Sequence, residues 1–331
     1  MTTQEWLADE PRPTAVDLLG KIFGRREVIL LLLNLAFVFV VSRMTPIFAT
    51  PLNFQVLLVG MAMEAVMIAP MVMLLVGGKF DLSIDGVVNM SGVIMGTLMM
   101  AGYPVLVSIA GGAVAGLAVG LFNGLAVTKV KMNPLMTTLG SWWAAQGVAF
   151  GLTQGISPHR FPGSFVAIGM SKILGQTIPI WYMIAALIIG TFVLSQSKFG
   201  YHIYATGGDR EAARLHGVNV DRVTTIGYLL VAAAAVFTGM VYAARLNSSV
   251  PNAVNGANLR VIAGAVIGGC SLEGGEGTII GGVLGLFFMT MLVNASIILG
   301  VSPYWQQVML GGVVIAAVAA DAIAKRRVPS A

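Results

Sequence analysis

The sequence predicts an all-α polytopic membrane protein whose chain crosses the bilayer about ten times. Of its 331 residues, 57% are hydrophobic and only 10% are charged, whereas a soluble domain carries about 25% charged residues. A soluble fold of this length could not bury so much apolar surface, so membrane lipid must solvate it. The apolar residues also recur in runs of about 20, the length that a helix needs to cross roughly 30 Å of hydrocarbon.

The apolar runs, taken in order along the chain, define the predicted spans. The third and eighth are short, and we expect them to be broken helices or to be extended by their flanking residues. The spans form a predicted transmembrane domain over 28–324, between a cytosolic segment, 1–27, and a basic cytosolic tail, 325–331. The approximate limits of the spans are 28–42, 52–76, 86–101, 104–127, 134–153, 178–195, 223–244, 259–271, 278–300 and 304–323.

The distribution of basic residues predicts the orientation of the chain. An even number of spans places both termini on one side, and of the 19 Lys and Arg residues 14 then lie with the termini and 5 on the opposite side. Because cytosolic loops carry the excess of basic residues, both termini are predicted to be cytosolic. Arg260, at the start of the eighth span, is counted on the outer side. The basic residues are spread between the spans and form no basic face, which argues against a nucleic-acid partner.

Glycines recur every four residues at two places in the predicted spans. One stripe consists of Gly112, Gly116, Gly120 and Gly124, and the other of Gly277, Gly281 and Gly285. This spacing puts the glycines of a stripe on one face of a helix, where a neighbouring helix can approach closely. We therefore expect two packing seams rather than ligand sites.

Motifs for catalysis or metal binding are missing from the sequence. It has no GxxxxGK[ST] loop and no HExxH motif, and His159, His202 and His216 are far apart in loops. Cys270 is the only cysteine, which excludes an intramolecular disulfide and a cysteine metal cluster. We expect no catalytic residue, no metal and no cofactor on this chain. Any ATP-driven process that it serves must use ATP and Mg²⁺ bound to another polypeptide.

A polar cytosolic loop at about 196–222 interrupts the series of spans. Asp209 or Gly208 can cap a short helix in this loop. Residues 210–216 are good helix formers, and Gly217 stands where a helix-ending glycine belongs. The predicted two-turn helix would carry Ala212, Ala213 and Leu215 as an apolar patch. So small a patch cannot fold alone, so it needs a partner or the membrane surface.

Four stretches of the chain resemble the motifs of one family. The segment that follows Lys198 fits the pattern FG-x-x-I-Y-A-x-GG-x-x-x-AA-x-x-x-G-V and is similar to the signature loop of permease subunits of bacterial ABC importers for monosaccharides, the ribose, xylose and galactose permeases. GGKFDLS at 77–83, PLMTTLG at 134–140 and IAGAVIGGCSLEGGEG at 262–277 resemble three further motifs of that family. The order and spacing agree over about residues 50–321, and four motifs in order are far more specific than any one alone.

The resemblance implies a type II ABC importer fold, in which two permease subunits, identical or paralogous, stand side by side around a central path in the bacterial inner membrane. It implies a transporter subunit rather than an enzyme. A periplasmic substrate-binding protein would deliver a monosaccharide or related polyol to the outer face, and an ABC ATPase subunit would dock on the short helix. The residues implied in that docking are Gly208, Asp209, Arg210, Glu211, Ala212, Ala213, Arg214, Leu215 and Gly217.

The sequence departs from the family's motifs at five positions. Lys79 is an extra residue in the first motif, Asp85 replaces a small residue, Tyr201 replaces a common Arg, and Asn258 and Arg260 stand where acidic residues are common. These departures bear on the cargo more than on the mechanism. The alternatives are the same machinery for a nucleoside, a branched-chain amino acid or a furanone-type signal, or an ion-coupled secondary transporter.

Several polar residues within the predicted spans are candidates for the transport path. Glu64 lies near the middle of the second span, where a charged residue costs about 2.5–3.5 kcal/mol, so it must be protonated, paired or facing a wet cavity. It either lines the path or bonds to a neighbouring helix. Amide side chains and a Trp ring can complement the hydroxyls and the ring face of a sugar, although each can also be a packing or interhelical hydrogen-bonding residue. The other candidates are Asn89, Ser91, Asn123, Ser141, Trp142, Trp143 and Gln146.

Overall fold

The computed structural model describes residues 26–326, which fold mostly into α-helices joined by short turns. The predictions for residues 1–25 and 327–331, which cover most of the N-terminal segment and of the basic tail, lie outside the described residues. A hairpin of two short antiparallel strands, β1 (Lys172–Ile173) and β2 (Gln176–Thr177), precedes α7. The helices are α1 (Arg26–Met44), α2 (Pro51–Val76), α3 (Ile84–Met100), α4 (Val105–Thr128), α5 (Pro134–Thr153), α6 (Gly163–Met170), α7 (Ile178–Gln196), α8 (Lys198–Gly208), α9 (Arg210–Leu215), α10 (Val220–Leu246), α11 (Ala257–Ile267), α12 (Ile279–Ile298) and α13 (Pro303–Arg326).

Six helices of the described chain are long and apolar enough to cross a bilayer, namely α1, α2, α4, α7, α10 and α12. Helices α3 and α11 are apolar but have 17 and 11 residues, and α5 and α13 have 20 and 24 residues. The structure therefore confirms a polytopic helical membrane protein but does not confirm the number of ten spans.

Helix α11 lies close to the short eighth span that the sequence predicts over 259–271. Gly256 (φ 77°) precedes the helix and Gly269 (φ 92°) follows it, both in the left-handed conformation that interrupts a helix. At 1.5 Å per residue, its 11 residues extend about 16 Å, roughly half of the hydrocarbon thickness. Of the two expectations for this short span, the structure shows the broken helix, because glycines end α11 on both sides.

Helix α2 lies at the centre of the molecule. Thr50 caps its first turn by accepting a hydrogen bond from the Asn53 backbone, and Pro51 occupies its first position. In its most apolar stretch 72% of the residues are buried, against 17% in α1 and 22% in α4. A polar group on α2 therefore meets protein rather than lipid.

The glycine stripe of α4 is confirmed as a packing seam. A Cβ added to Gly112 would lie 2.7 Å from the Ser91 carbonyl oxygen of α3, and one added to Gly124 would lie 2.9 Å from the Thr225 methyl group of α10. Added carbons at the two glycines between them would overlap side chains of α10 in the same way. Only glycine permits these helix–helix distances.

The second stripe is confirmed for two of its three members. Gly281 and Gly285 of α12 lie against the backbone carbonyls of Gly268 and Gly264 respectively. Gly277 instead precedes α12 with φ 141°, so it belongs to the turn and not to the helix face. Helix α11 is thereby held directly against α12.

The packing seam of α4 predicts that a larger residue at one of its glycines lowers the stability of the protein. Gly120→Val places a Cβ onto the methyl group of Ala232, and overpacking of this kind costs about 1–3 kcal/mol. We expect a lower thermal midpoint for the purified protein in detergent. Gly147→Val is the matched control, because an added Cβ there meets nothing within 4 Å. Equal midpoints for the two variants would contradict the seam.

The cytosolic loop predicted at about 196–222 is more helical than expected. Helix α7 reaches Gln196, and α8, which the sequence analysis did not predict, fills 198–208. The short helix α9 follows. Asp209 caps it by accepting hydrogen bonds at 2.9 Å from the backbone nitrogens of Glu211 and Ala212, and Gly217 (φ 84°) follows its end. The predicted short helix is confirmed, with Asp209 rather than Gly208 as its cap.

Candidate functional site

Glu64 forms a buried ion pair with Arg260. The Nε of Arg260 lies 3.0 Å and 3.2 Å from the two carboxylate oxygens of Glu64, and its Nη2 also donates to one of them. Glu64 is 6% exposed. Of the three ways in which a charge can persist at this depth, the structure shows pairing, in the side-on bidentate form that guanidinium groups favour. The sequence analysis counts Arg260 on the outer side as a residue at the edge of a span, whereas its side chain lies against the middle of α2.

A second carboxylate holds the beginning of α11. Asp85, in the first turn of α3, accepts hydrogen bonds from the backbone nitrogens of Gly256 at 2.8 Å and Asn258 at 2.7 Å. The Asn258 side chain donates in return to the Leu82 carbonyl oxygen at 3.1 Å. A carboxylate at a helix N-terminus satisfies free N–H groups and complements the helix dipole. Helix α11 is thus fixed by α3 at its first turn and by α2 through Arg260.

Three of the five departures from the family's motifs meet at this place. Asp85 and Asn258 are hydrogen-bonded to each other, and Arg260 lies half a turn further along α11, in contact with Glu64. Asp85 and Asn258 are 173 positions apart in the sequence, and Glu64 and Arg260 are 196 positions apart, yet all four residues meet at one location in the fold. We call these four residues the polar cluster.

Two cavities open on either side of Arg260. The larger has a volume of about 660 Å³, and its wall includes Trp142, Asn258, Arg260 and Gln307. The smaller, of about 300 Å³, is lined by Glu64, Arg260 and the neighbouring part of α12. Ligand pockets in proteins usually measure about 300–1,000 Å³. Asn258 and Arg260 of the polar cluster therefore stand in the wall of a space large enough for a small molecule.

Some of the predicted path residues line cavities. Glu64 lines the smaller cavity and Trp142 the larger one. The indole nitrogen of Trp142 is a buried donor without a hydrogen-bond partner among the described residues. Ser141 lines a separate apolar groove of about 520 Å³ between α4 and α5. The structure brings Glu64 and Trp142 to the same region and leaves Ser141 apart.

Two of the predicted path residues form one interhelical bridge. The Asn89 amide on α3 donates to the Gln146 side-chain oxygen on α5 at 2.9 Å. Gln146 in turn donates to the Pro251 carbonyl oxygen. Both amides are buried. Of the two roles considered for these amides, lining the path or bonding between helices, the structure shows the hydrogen bond between helices.

Asn123 belongs to a buried relay near the beginning of α3. Its amide donates to the Ser83 hydroxyl oxygen at 3.0 Å, and this hydroxyl donates to Asp81 at 2.6 Å. Burial raises the pKa of Asp81, and the hydrogen bonds from Ser83 oppose the rise. The relay ties α4 to the turn before α3, away from the larger cavity.

The last two predicted path residues have other surroundings. The Ser91 hydroxyl donates to the Val88 carbonyl oxygen of its own helix at 3.2 Å, as buried serines in helices commonly do. The Trp143 ring is 66% exposed on the outside of α5, where lipid or a second subunit can cover it. Neither residue is brought to the polar cluster.

Helix α9 presents one apolar side chain outward. Leu215 is 82% exposed, whereas Ala213 is 5% exposed and packs inward and Ala212 is half-buried. The predicted patch of three apolar residues is therefore divided between two faces. Because two positions along an α-helix correspond to a rotation of about 200°, Ala213 and Leu215 point in nearly opposite directions.

Asp221 binds this short helix to neighbouring segments of the chain. Its carboxylate lies 3.2 Å from the Arg210 guanidinium and 3.4 Å from that of Arg214 on α9. The Lys131 and Lys129 ammonium groups, in the turn between α4 and α5, are 3.4 Å and 3.7 Å away. One carboxylate thus neutralises part of the charge of four cations, and it joins α9, α10 and the α4–α5 turn.

Three glycine pairs from separate motifs meet at the C-terminal end of α2. They are residues 77–78, 207–208 and 274–275, and we call them the glycine junction. The Gly275 nitrogen donates to the Val76 carbonyl oxygen at 2.8 Å. A Cβ added to Gly274 would lie 2.9 Å from the Gly207 carbonyl oxygen. The end of α8 therefore touches both the end of α2 and the turn that connects α11 with α12.

Reactive or metal-binding groups do not stand out among residues 26–326. No group of three or more His, Cys, Asp or Glu side chains in this part of the chain is arranged to hold a metal ion. Cys270 is buried, and burial raises the pKa of its thiol to about 12. The thiol stays protonated at neutral pH and acts as a packing group.

Sequence reasoning missed the amides and the arginine around the larger cavity. Arg260, Asn255 and Gln307 were not candidates, because Arg260 was counted at the outer edge of the eighth span, Asn255 lies between the seventh and eighth predicted spans, and Gln307 lies in an ordinary span. One signal was available. Arg260 is an isolated cation beside an apolar run, and Glu64 is an isolated anion inside another; two such charges favour pairing.

Comparisons with known proteins identify the class of this chain. The sequence profile of the family described as "Branched-chain amino acid transport system / permease component" matches residues 53–318. The L-arabinose ABC transporter permease protein of Azospirillum brasilense is 34% identical over 280 residues, which cover 85% of this chain and 83% of that protein. The ribose import permease protein of Escherichia coli K12 is 31% identical over 305 residues, 91% of this chain and 94% of that protein.

A third relative agrees with these two. The D-allose transport system permease protein of Escherichia coli K12 is 32% identical over 249 residues, 75% of this chain and 76% of that protein. No solved structure matches the chain significantly. The chain belongs to the family of permease subunits of sugar ABC importers. It is a multi-pass protein of the inner membrane, and membership in the family implies an ATPase subunit and a binding protein as partners.

Proposed function

We propose that this chain forms the transmembrane path of an ABC importer for a monosaccharide or related polyol. The observation that carries the proposal is a continuous connection through the fold. Helix α9 presents Leu215 to the cytosol, the glycine junction links α8 to α2, and α2 carries Glu64 at the polar cluster beside the larger cavity. The relatives named for L-arabinose, ribose and D-allose support a sugar as the cargo.

The proposed assembly follows the type II arrangement. Two permease subunits, identical or paralogous, enclose the path, and α3, α5, α11 and α13 complete a bundle of about ten membrane segments with both termini in the cytosol. A substrate-binding protein delivers the cargo outside. ATP and Mg²⁺ bind to the separate ATPase subunit, whose different affinities for the inward-open and outward-open states drive the cycle.

The proposed docking residues divide into a contact group and a supporting group. Leu215 and Glu211 are exposed and would touch the ATPase, whereas Asp209 and Gly217 shape the ends of the helix and Ala213 packs it against its own chain.

The ion pair between Glu64 and Arg260 argues against the alternative of an ion-coupled transporter. Arg260 already neutralises Glu64, so this carboxylate is not free to bind a proton or another coupling ion.

Leu215→Glu tests the docking surface. Burial of a leucine stabilises a contact by about 1.5–3 kcal/mol, so its loss is expected to weaken the affinity of the permease for its ATPase by roughly 10- to 100-fold. The affinity is measured by titrating the ATPase onto the purified permease in nanodiscs. Leu174→Glu is the matched control, because Leu174 is 85% exposed at the tip of the β1–β2 hairpin, on the predicted outer face. Unchanged binding by Leu215→Glu would contradict docking on α9.

A further inference from the structure

We propose that Arg260, positioned by Glu64, donates hydrogen bonds to hydroxyl groups of the cargo in the larger cavity, and that this site selects neutral sugars over sugars that carry a carboxylate. The inference rests on the proposed function and assigns it a cargo-contacting residue.

The donors of Arg260 are only partly used inside the protein. A guanidinium has five N–H bonds. Glu64 accepts from Nε and from one N–H of Nη2, and the Asn255 carbonyl oxygen accepts from one N–H of Nη1 at 3.3 Å. One N–H on each terminal nitrogen has no partner among the residues that the structure describes. Two such donors on one planar group match two neighbouring oxygens, as in a vicinal diol.

The ion pair fixes the direction of these donors. Glu64 binds the guanidinium side-on through two nitrogens, so the plane of the group cannot rotate. Glu64 itself is 6% exposed and sits in a helix that is largely surrounded by protein. It is a positioning residue, and Arg260, which lines both cavities, is the contacting one.

Other residues around the larger cavity supply the remaining features of a sugar site. Trp142 offers an aromatic face for the C–H groups of a sugar ring, and its buried indole N–H lacks a partner. Gln306 uses its amide nitrogen for the Val301 carbonyl oxygen, which leaves its side-chain oxygen as an acceptor. Donors, acceptors and an apolar ring face together complement a small polyol.

The charges of the polar cluster disfavour an anionic cargo. The carboxylate of Glu64 cancels the charge of Arg260, and the carboxylate of Asp85 lies close by at the first turn of α11. The polar cluster therefore has no net positive charge, whether Asp85 is ionised or protonated. A cargo carboxylate would therefore meet no net positive charge, whereas a neutral hydroxyl group needs none.

Arg260→Lys separates contact with the cargo from simple stability. Lysine can keep the ion pair with Glu64 but lacks the second, forked donor. In proteoliposomes with the ATPase and saturating binding protein, we expect the sugar imported per ATP hydrolysed to fall roughly tenfold, in line with lost hydrogen bonds to a charged donor. The rate of ATP hydrolysis and the sugar concentration for half-maximal uptake, which the binding protein sets, are expected to stay unchanged. An unchanged ratio of sugar to ATP would overturn the proposal.

A second variant guards against a failure of folding. Glu64→Leu combined with Arg260→Met replaces the buried pair by apolar groups of similar volume, a change that proteins often tolerate. If the pair were only structural, this double variant would import sugar like the unchanged protein, and the proposal would fail. If Arg260 touches the cargo, the double variant assembles with the ATPase and hydrolyses ATP, but it imports little.

Selection for a neutral cargo is tested without ATP. Saturation-transfer NMR on the permease in nanodiscs detects weak binding, with L-arabinose and L-arabinonate as probes. We expect a signal for the sugar that is lost in Arg260→Lys, and no signal for the aldonate. Equal signals for both probes would overturn the selection. If the complete system hydrolyses ATP without importing L-arabinose, D-ribose or D-allose, the proposed function fails, while this comparison still decides the site.

Discussion

Gly207→Ala is expected to reduce sugar import by roughly a hundredfold while the protein still inserts and folds. The added Cβ would overlap the Val76 carbonyl oxygen and lie 2.6 Å from the Gly275 nitrogen, so it would break the hydrogen bond between these two residues. Helix α8 would have to move away from α2. A displacement of about 1 Å costs catalytic sites roughly a hundredfold in rate, and we expect a comparable loss where docking must be transmitted to the path.

The neighbouring glycine provides a matched control for this prediction. A Cβ added to Gly208 meets nothing within 4 Å, so Gly208→Ala should import sugar at nearly the unchanged rate. Tyr204→Phe gives a graded test, because its hydroxyl donates to the Gly277 carbonyl oxygen at 2.7 Å and a hydrogen bond of this kind contributes about 0.5–1.5 kcal/mol. Uptake is measured in proteoliposomes and divided by the amount of folded permease. Equal uptake by the two glycine variants would exclude the junction as a transmission point.

Features that depend on nearby residues were predictable from the sequence. The apolar runs define most of the long helices, because a spanning helix must be apolar over about 20 consecutive residues. The seam of α4 follows from four-residue spacing alone, and the Asp209 cap and Gly217 end of α9 follow from the chemistry of helix termini.

Features that depend on distant residues were not predictable. The partner of Glu64 lies 196 positions away, and only the packing of α11 against α2 brings it there. The sequence also places Arg260 next to an outer turn, since a basic residue at the edge of an apolar run usually marks a boundary of the membrane. The contact among the three pairs of the glycine junction could not be predicted either, because each pair taken alone is explained as the end of a helix.

Helix α8 shows why local reasoning failed in the cytosolic loop. Its residues, Lys198 to Gly208, include three glycines and look unfavourable for a helix. Packing stabilises it instead: Ile203 and Thr206 are buried, and the Ser197 hydroxyl caps its first turn through the Gly200 nitrogen. Close contact with the backbone of α7 and of the end of α2 requires two of these glycines, Gly200 and Gly207, although glycine weakens a helix by itself.

Asp221→Lys is expected to release α9 from the cytosolic face. Arg210 and Arg214 on α9 would lose their shared carboxylate and would then face Lys129, Lys131 and the new lysine. A single exposed pair contributes about 0.2–1 kcal/mol, but one carboxylate serves four cations here and its side chain is only 22% exposed. We expect the affinity for the ATPase to weaken by at least roughly tenfold.

Three further variants distinguish specific support of α9 by the Asp221 carboxylate from a general effect of net charge. Glu276→Lys changes the net charge by the same amount at the ion pair with Arg26, in which both side chains are 62% exposed, so binding of the ATPase should stay nearly unchanged. Asp221→Glu keeps the carboxylate and should restore binding, and Asp221→Asn should lie between.

The dependence on salt concentration shows whether Asp221→Lys weakens the affinity for the ATPase by electrostatic repulsion. At 1 M salt the screening length falls to about 3 Å, so repulsion among exposed cations should fade and Asp221→Lys should recover part of its affinity for the ATPase. Gly207→Ala should gain nothing, because a steric overlap is not screened. If salt rescued neither variant, α9 would be held by packing of Ala213 rather than by Asp221, and charge reversal would act by disrupting that packing. The comparison of the two variants at two salt concentrations therefore separates the electrostatic support of the docking helix from the steric fit of the junction behind it.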